Sequence, residues 1–357
     1  MTIWINQPGN YSGDTWHIAA AMSLSDNISL VQTVHERDCR TAQQARAFYH
    51  DIGISNSRVL MVPLVSTLDC DLRLSQVADR VKYNYRHIQA ASDALQKQDC
   101  TKANICYAYQ ATALYLQAAH KKQFASETLK NVFTESLANE HPEAVLEIEK
   151  RARAIPSDTV LIIGRYANYL KEYDADCART STIVELAHSH KRPCCLIANE
   201  SADATKIANL FNIAVIDPYC LHKDINNIRD TGRVDMRGTA YFWRCLAQKG
   251  RQNLVVGGRS GYVDIAAYLG VEVVEWDVFN TDDPESLRLA NMSPSMCSTV
   301  NISKDMGFDH KSHYLVESSC CTDGPTEMSA RTALNYALKG CRVTVIHKSR
   351  MYEFVEV

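Results

Sequence analysis

Residues 253 to 261 read Asn-Leu-Val-Val-Gly-Gly-Arg-Ser-Gly, an apolar run that breaks into a glycine-rich turn carrying a cation and a hydroxyl. The continuation, Tyr262 to Leu269, has helical spacing, and Val271 to Glu275 is apolar and β-branched again. A turn at the carboxyl end of a strand, opening a helix, presents free backbone N–H groups and the positive end of the helix dipole. Such a place suits a phosphate. Gly257 and Gly258 let a pyrophosphate come close to the backbone, and Ser260 and Gly261 supply N–H donors. Arg259 can neutralise phosphate bidentately. Asp264, one helical turn after Ser260, can orient Arg259 or cap the helix. The competing reading is a tight strand-to-helix joint with a solvated arginine. The spacing is neither a Walker loop nor the GxGxxG fingerprint.

A second constellation lies near the start, in Asn6-Gln-Pro-Gly-Asn-Tyr-Ser-Gly-Asp-Thr-Trp-His17. Asn10 and Gly13 belong to a loop after an alternating strand at residues 2–6. Asp14 and His17 are the groups there that can take a proton. Asp14 also reads as a plain N-cap and His17 as an ordinary helix histidine. Further candidates sit where strands end: Arg165 as a phosphate ligand, Asn199, and Tyr219 as a surface for a base. Arg233 and Arg237 precede an expected helix at 239–249 and suit phosphate or simple solvation. Ligands of parallel α/β sheets bind outside the carboxyl ends of the strands.

The elements that must position these residues alternate. Strands are expected at 28–34 and 59–65 and a helix at 41–52, which begins a doubly wound sheet. Residues 74 to 153 change character, with helical periodicity at 77–88, 105–119, 126–138 and 143–152. After 155–158, βα units resume: strands at 159–164, 193–198, 213–217, 254–256 and 271–275 alternate with helices. Residues 277–312 read as polar and irregular, and a helix at 326–338 leads to a last strand at 342–347. The expectation is therefore an α/β protein with two Rossmann-like domains facing a cleft. The N-terminal domain, 1–154, carries a helical insertion at about 74–153, and the second domain spans 155–357.

Composition narrows the function. With 38 basic and 41 acidic residues in 357 and a net charge of -3, no nucleic-acid surface or polybasic membrane patch is expected. No apolar run has the length of a membrane span. The start lacks the pattern of a signal peptide, and 13 cysteines without metal-ligand spacing read as reduced thiols, so a cytoplasmic location is expected. No metal site is expected: HExxH is absent, and Asp69-Cys-Asp71 and Asp174-Ala-Asp176 read as short acidic turns. No Gly-x-Ser-x-Gly nucleophile elbow occurs.

The order of elements over residues 159–276, and the motif Gly257-Gly-Arg-Ser-Gly261, Asp264-Ile-Ala-Ala-Tyr-Leu-Gly270, Val271-Glu-Val-Val274, resemble the donor domain of GT-B glycosyltransferases. The acidic residue that many retaining members place after this turn to hold the ribose has no match. The resemblance implies a metal-independent transfer of a sugar from a UDP- or GDP-linked donor to an acceptor, with no cofactor beyond that co-substrate. Arg165, Asn199, Tyr219, Arg237, Gly258, Arg259, Ser260, Gly261 and Asp264 would hold the donor. Asn10 and Gly13 would line the acceptor side, with Asp14 or His17 as the base. Two other readings stand beside it: another nucleotide-sugar enzyme, such as an epimerase or hydrolase, and a non-catalytic protein that binds a nucleotide or a partner.

Overall fold

A computed structural model describes residues 3–8, 12–35, 46–64, 90–91, 93–97, 104–107, 126–163, 172–198, 202–216, 233–248, 250–257, 265–266, 269–279, 312–318, 338, 343–348 and 351–356. The chain divides into two compact units: Met1–Phe124 with Thr231–Arg233 and Asp282–Ser298, and Ala125–Asp230 with Val234–Thr281 and Thr299–Val357.

The first unit holds a four-stranded sheet of β1 (Ile3–Pro8), β2 (Ile28–His35), β3 (Val59–Leu64) and β4 (Asn104–Tyr107), in the order β3-β2-β1-β4. Every pairing in it is parallel. Helix α1 (Ser12–Leu24) connects β1 to β2. Its run Ile18-Ala-Ala-Ala-Met22 is fully buried, and Trp16 meets the edge of Phe48 at a centroid distance of 5.0 Å. At the foot of this sheet the Arg58 guanidinium donates to the carbonyls of Met22 (2.9 Å), Ser25 (2.5 Å) and Ile28 (3.0 Å). It thereby satisfies carbonyls at the end of α1 and the start of β2. Burial draws the Arg58 pKa down, with Asp26 opposing.

Two corrections concern this unit. Residues 105–119 read as helical, yet Asn104–Tyr107 is a strand paired with β1 from Ile3↔Asn104 to Asn6↔Tyr107. The short Ile-Cys-Tyr core of that segment suits a pleated strand, and pairing outweighs local helix preference. Helix α1 also begins at Ser12, so Gly13 and Asp14 lie inside its first turn rather than in a loop and at the N-cap.

The second unit is built on six parallel strands: β5 (Val160–Ile163), β6 (Cys194–Ile197), β7 (Ala214–Ile216), β8 (Leu254–Gly257), β9 (Glu272–Phe279) and β10 (Ser312–Ser318). The order is β10-β9-β8-β5-β6-β7. Strands β5 and β8 are buried at every residue, so both faces of the sheet are covered. Val160 and Ile162 of β5, Leu196, Leu254 and Val256 form one core face with Ile183, Val184 and Ala187 of α4 (Glu172–Ser189) and Ala204, Ile207 and Ala208 of α5 (Ala202–Phe211). Strands β11 (Val343–Lys348) and β12 (Met351–Glu356) form an antiparallel pair of their own.

Three helix-to-strand connections of the second unit close in one shared way. The N–H of Arg192 reaches Ala187 O (2.9 Å), that of Ile213 reaches Ala208 O (3.0 Å) and that of Val271 reaches Ala266 O (3.0 Å). The residue before each is left-handed: Lys191 (φ 57°), Asn212 (φ 51°) and Gly270 (φ 92°). This is the Schellman closure, which favours glycine. Lys191 is exposed, so replacing it with glycine removes left-handed strain without losing packing. Lys191→Gly is expected to raise the unfolding free energy by about 1 kcal/mol, read as a higher urea midpoint at unchanged m value.

Helices α2 (Ser126–Glu140) and α3 (Pro142–Ala154) belong to the second unit, although the sequence reading set the domain boundary after residue 154. The reason is a set of arginines at seven-residue spacing on and just beyond α6 (Arg233–Leu246). Arg237 Nη1 donates to Ser136 Oγ (3.1 Å) and Glu140 Oε2 (2.9 Å), and Arg244 donates to Thr134 Oγ1. Arg251 donates to the carbonyls of Ala152 (3.1 Å) and Ile155 (2.6 Å), closing the last turn of α3. Tyr241 adds a hydrogen bond to Glu149 (3.2 Å).

Candidate functional site

In both units the first strand of the sheet lies between the strand that follows it in the chain and a later one. In the first unit β1 has β2 on one side and β4 on the other; in the second, β5 has β6 on one side and β8 on the other. Connections leave these neighbouring strands in opposite directions, so their carboxyl ends open a crevice, the topological switch point. The second unit has the 3-2-1-4-5-6 order of doubly wound sheets that take dinucleotides.

The register puts the strand end that precedes the leading sequence motif there. Ile163 pairs with Gly257, so β5 and β8 end side by side. The chain leaves β5 into Gly164-Arg165 and leaves β8 into Gly258-Arg-Ser-Gly261. Gly257 is buried at the strand end. Arg165, Gly258, Arg259, Ser260, Gly261 and Asp264 themselves lie outside the described residues, as do Asn199 and Tyr219. Strand β6, which precedes Asn199, adjoins β5; β7, which precedes Tyr219, is the edge strand, about 10 Å from β5 at the usual spacing.

The first-unit candidates follow the other switch point in the chain. Strand β1 ends at Pro8, beside the strand that closes at Tyr107, and α1 starts at Ser12. Asp14 and His17 occupy α1 three residues apart and hence on one side of the helix. Asn10 lies outside the described residues.

Arg237 is a correction. Its side chain is 1% exposed and held by Ser136 and Glu140, well within α6 rather than ahead of a helix. A guanidinium so engaged ties helices together and is not presented to a soluble phosphate. The helix starts earlier than expected and runs through Gly238, with Thr239, Ala240, Phe242 and Trp243 buried on its inner side. Arg192 plays a comparable structural part at the foot of the second sheet. It donates to the carbonyls of Asp158 (2.8 Å) and Gln252, just ahead of β5 and β8. Asn253 supports the same end, its Oδ1 accepting from Thr159 N at 3.1 Å.

Other chemistry finds little purchase among the described residues. Burial pushes the Cys194 thiol up to about 11 and Cys245 to about 12, with Cys195 higher still, so all three are protonated at neutral pH. Protonated thiols are poor nucleophiles and poor metal ligands. No group of three His, Cys, Asp or Glu among the described residues could hold a metal ion. Asp174 and Asp176 lie inside α4, not in the acidic turn expected from sequence. Asp69 and Asp71 lie outside the described residues. No helix among the described residues is long and apolar enough to cross a membrane.

The fold defines an α/β protein with Rossmann-like parallel sheets and a topological switch point in each unit. No family model matches the chain, and no curated protein matches its sequence.

Proposed function

We propose that the protein is a glycosyltransferase that moves a sugar from a nucleotide-sugar donor to an acceptor without a required metal. The observation that carries the reading is the pairing of Ile163 with Gly257, which makes the Gly164-Arg165 and Gly258-to-Gly261 segments leave the sheet from adjacent strands at the switch point. Two arginines and a glycine turn opening a helix are the chemistry that a diphosphate needs. The reading brings with it a GT-B arrangement, in which the second domain holds the donor and the first the acceptor.

In the reaction an acceptor hydroxyl attacks the anomeric carbon. The bond from that carbon to the diphosphate oxygen breaks, and the nucleoside diphosphate leaves with the bonding pair. Asp14 or His17 takes the acceptor proton. Arg259 and Arg165 meet the charge that grows on the leaving diphosphate, as preorganised cations do in a site from which water is excluded. Arg237 is withdrawn from the donor set, because its guanidinium is held by Ser136 and Glu140.

The test is a thermal-shift screen with UDP, GDP and their sugar conjugates at millimolar concentration, followed by product analysis. A ligand at 100 times its Kd adds about 2.7 kcal/mol, which raises Tm by ~5 °C in a domain of this size. The expected result is a shift with one of the two diphosphates and a sugar transferred to an acceptor hydroxyl. No shift with either, or products limited to free sugar or an altered sugar on the same nucleotide, rejects the reading.

A further inference from the structure

The sheet of the second unit stands open along β7. Strand β5 at its centre is buried at every residue, whereas β7 has Ala214 exposed and Val215 and Ile216 half-buried. Helix α5 leads directly into β7 and carries Leu210, at 72% the more exposed of the two large apolar side chains left in water among the described residues. Edge strands ordinarily guard themselves with charge, proline or a bulge. Strand β3, at the edge of the first sheet, has Pro63. Residues 207–216 carry neither charge nor proline.

The register shows what this edge offers. In the alignment Ile197↔Ile216, the N–H of Ala198 reaches Ile216 O at 3.2 Å. Ile216 therefore turns its backbone groups toward β6, and Val215, one position back, turns both of its own away from β6. Among the described residues no strand pairs with that side. The Ile213 N–H is already taken by Ala208 O (3.0 Å), so the edge presents few groups to a foreign peptide. A residue with donor and acceptor both outward is, however, the centre that an antiparallel pair across a two-fold axis needs, because Val215 of each copy can exchange both bonds with Val215 of the other.

The helix above the edge fits the same axis. Helix α5 packs over both β6 and β7, with Ala204, Ile207 and Ala208 in the core that Val215 joins. An axis normal to the sheet keeps both α5 helices on one face. With α5 midway over its two strands, a second β7 at the usual strand spacing sets the two helices about 10 Å apart, which is packing distance. Leu210 then leaves water in both copies, and no charge within residues 207–216 opposes its like.

We propose that the β7 edge and α5 form an interface with a second copy of this chain, pairing β7 antiparallel about Val215 and joining the two sheets into one. A three-residue strand gives a contact of modest size, so the dimer should dissociate in the micromolar range.

The test is analytical ultracentrifugation of the full chain from about 1 to about 100 μM, with backbone hydrogen exchange read at both ends of that range. Wild type should pass from monomer to dimer, and exchange at residues 213–216 should slow at least about 5-fold at the higher concentration. Leu210→Glu changes a side chain that already lies in water, so the urea midpoint should hold while the dimer Kd rises at least about 10-fold. Leu146→Glu, on the other exposed leucine, should leave the dimer as it is. A monomer throughout overturns the proposal, whether the Val215 amide is then open or already protected by another part of the chain. A dimer that withstands Leu210→Glu, weakens equally with Leu146→Glu or leaves exchange at 213–216 unchanged overturns it as well, since the copies then meet elsewhere.

Discussion

Arg259→Ala is expected to lower kcat/KM about 100-fold, a loss of roughly 2.7 kcal/mol in transition-state stabilisation, with the urea midpoint unchanged. The size follows from the role. A guanidinium at the start of a helix neutralises charge that is fully developed only as the diphosphate departs, so its removal weakens the transition state more than the bound donor. The split between kcat and KM is therefore the informative measurement. A fall in kcat with a modest rise in KM supports leaving-group stabilisation. A rise in KM alone assigns Arg259 to uniform donor binding. Wild-type turnover by the alanine variant rejects the glycine turn as the donor's diphosphate site.

Arg237→Ala is expected to act on stability, by about 3 kcal/mol. The side chain is 1% exposed and bonded to Ser136 and Glu140, while Glu140 itself is 54% exposed. Removal of the guanidinium thus leaves the Glu140 carboxylate to water at little cost. The penalty comes from two lost hydrogen bonds to a charged donor and from the space left by a buried stem. Arg237→Met keeps most of the stem packing and should recover about half the loss. Urea unfolding of both variants checks the order. If Arg237→Ala unfolds like wild type and instead weakens nucleotide binding, the residue returns to the donor set and the clamp on α2 is not a stabilising contact.

Arg237 shows what could be read in the chain. Like Arg259 it adjoins a glycine and looked suited to phosphate, and nothing local told that its side chain meets Ser136 and Glu140, residues 101 and 97 positions earlier. The seven-residue spacing of Arg237, Arg244 and Arg251 was visible, but its meaning needed a facing helix pair. Strand β4 was similarly hidden, because four residues carry too little periodicity to outweigh the helical pattern after them. Strands β10 and β12 went unrecognised: the first begins at the end of the stretch read as irregular, and no element was assigned to residues 313–318 or 351–356.

The sequence by itself determined the strands that are buried on both faces, β5, β6 and β8, since an unbroken apolar run bounded by turn residues has few other uses in a chain of this composition. It determined the α2 and α3 helices through their periodicity and Pro142, and the end of the segment before β9 through Gly270. Tertiary structure decided the strand order, and with it which loops are neighbours. Local pattern reports which residues face a core, whereas order depends on which strands, far apart in the chain, exchange backbone hydrogen bonds. Thr159 and Asn253, 94 residues apart, meet at the foot of β5 and β8. That pairing makes residues 164–165 and 258–261 leave the sheet from adjacent strands.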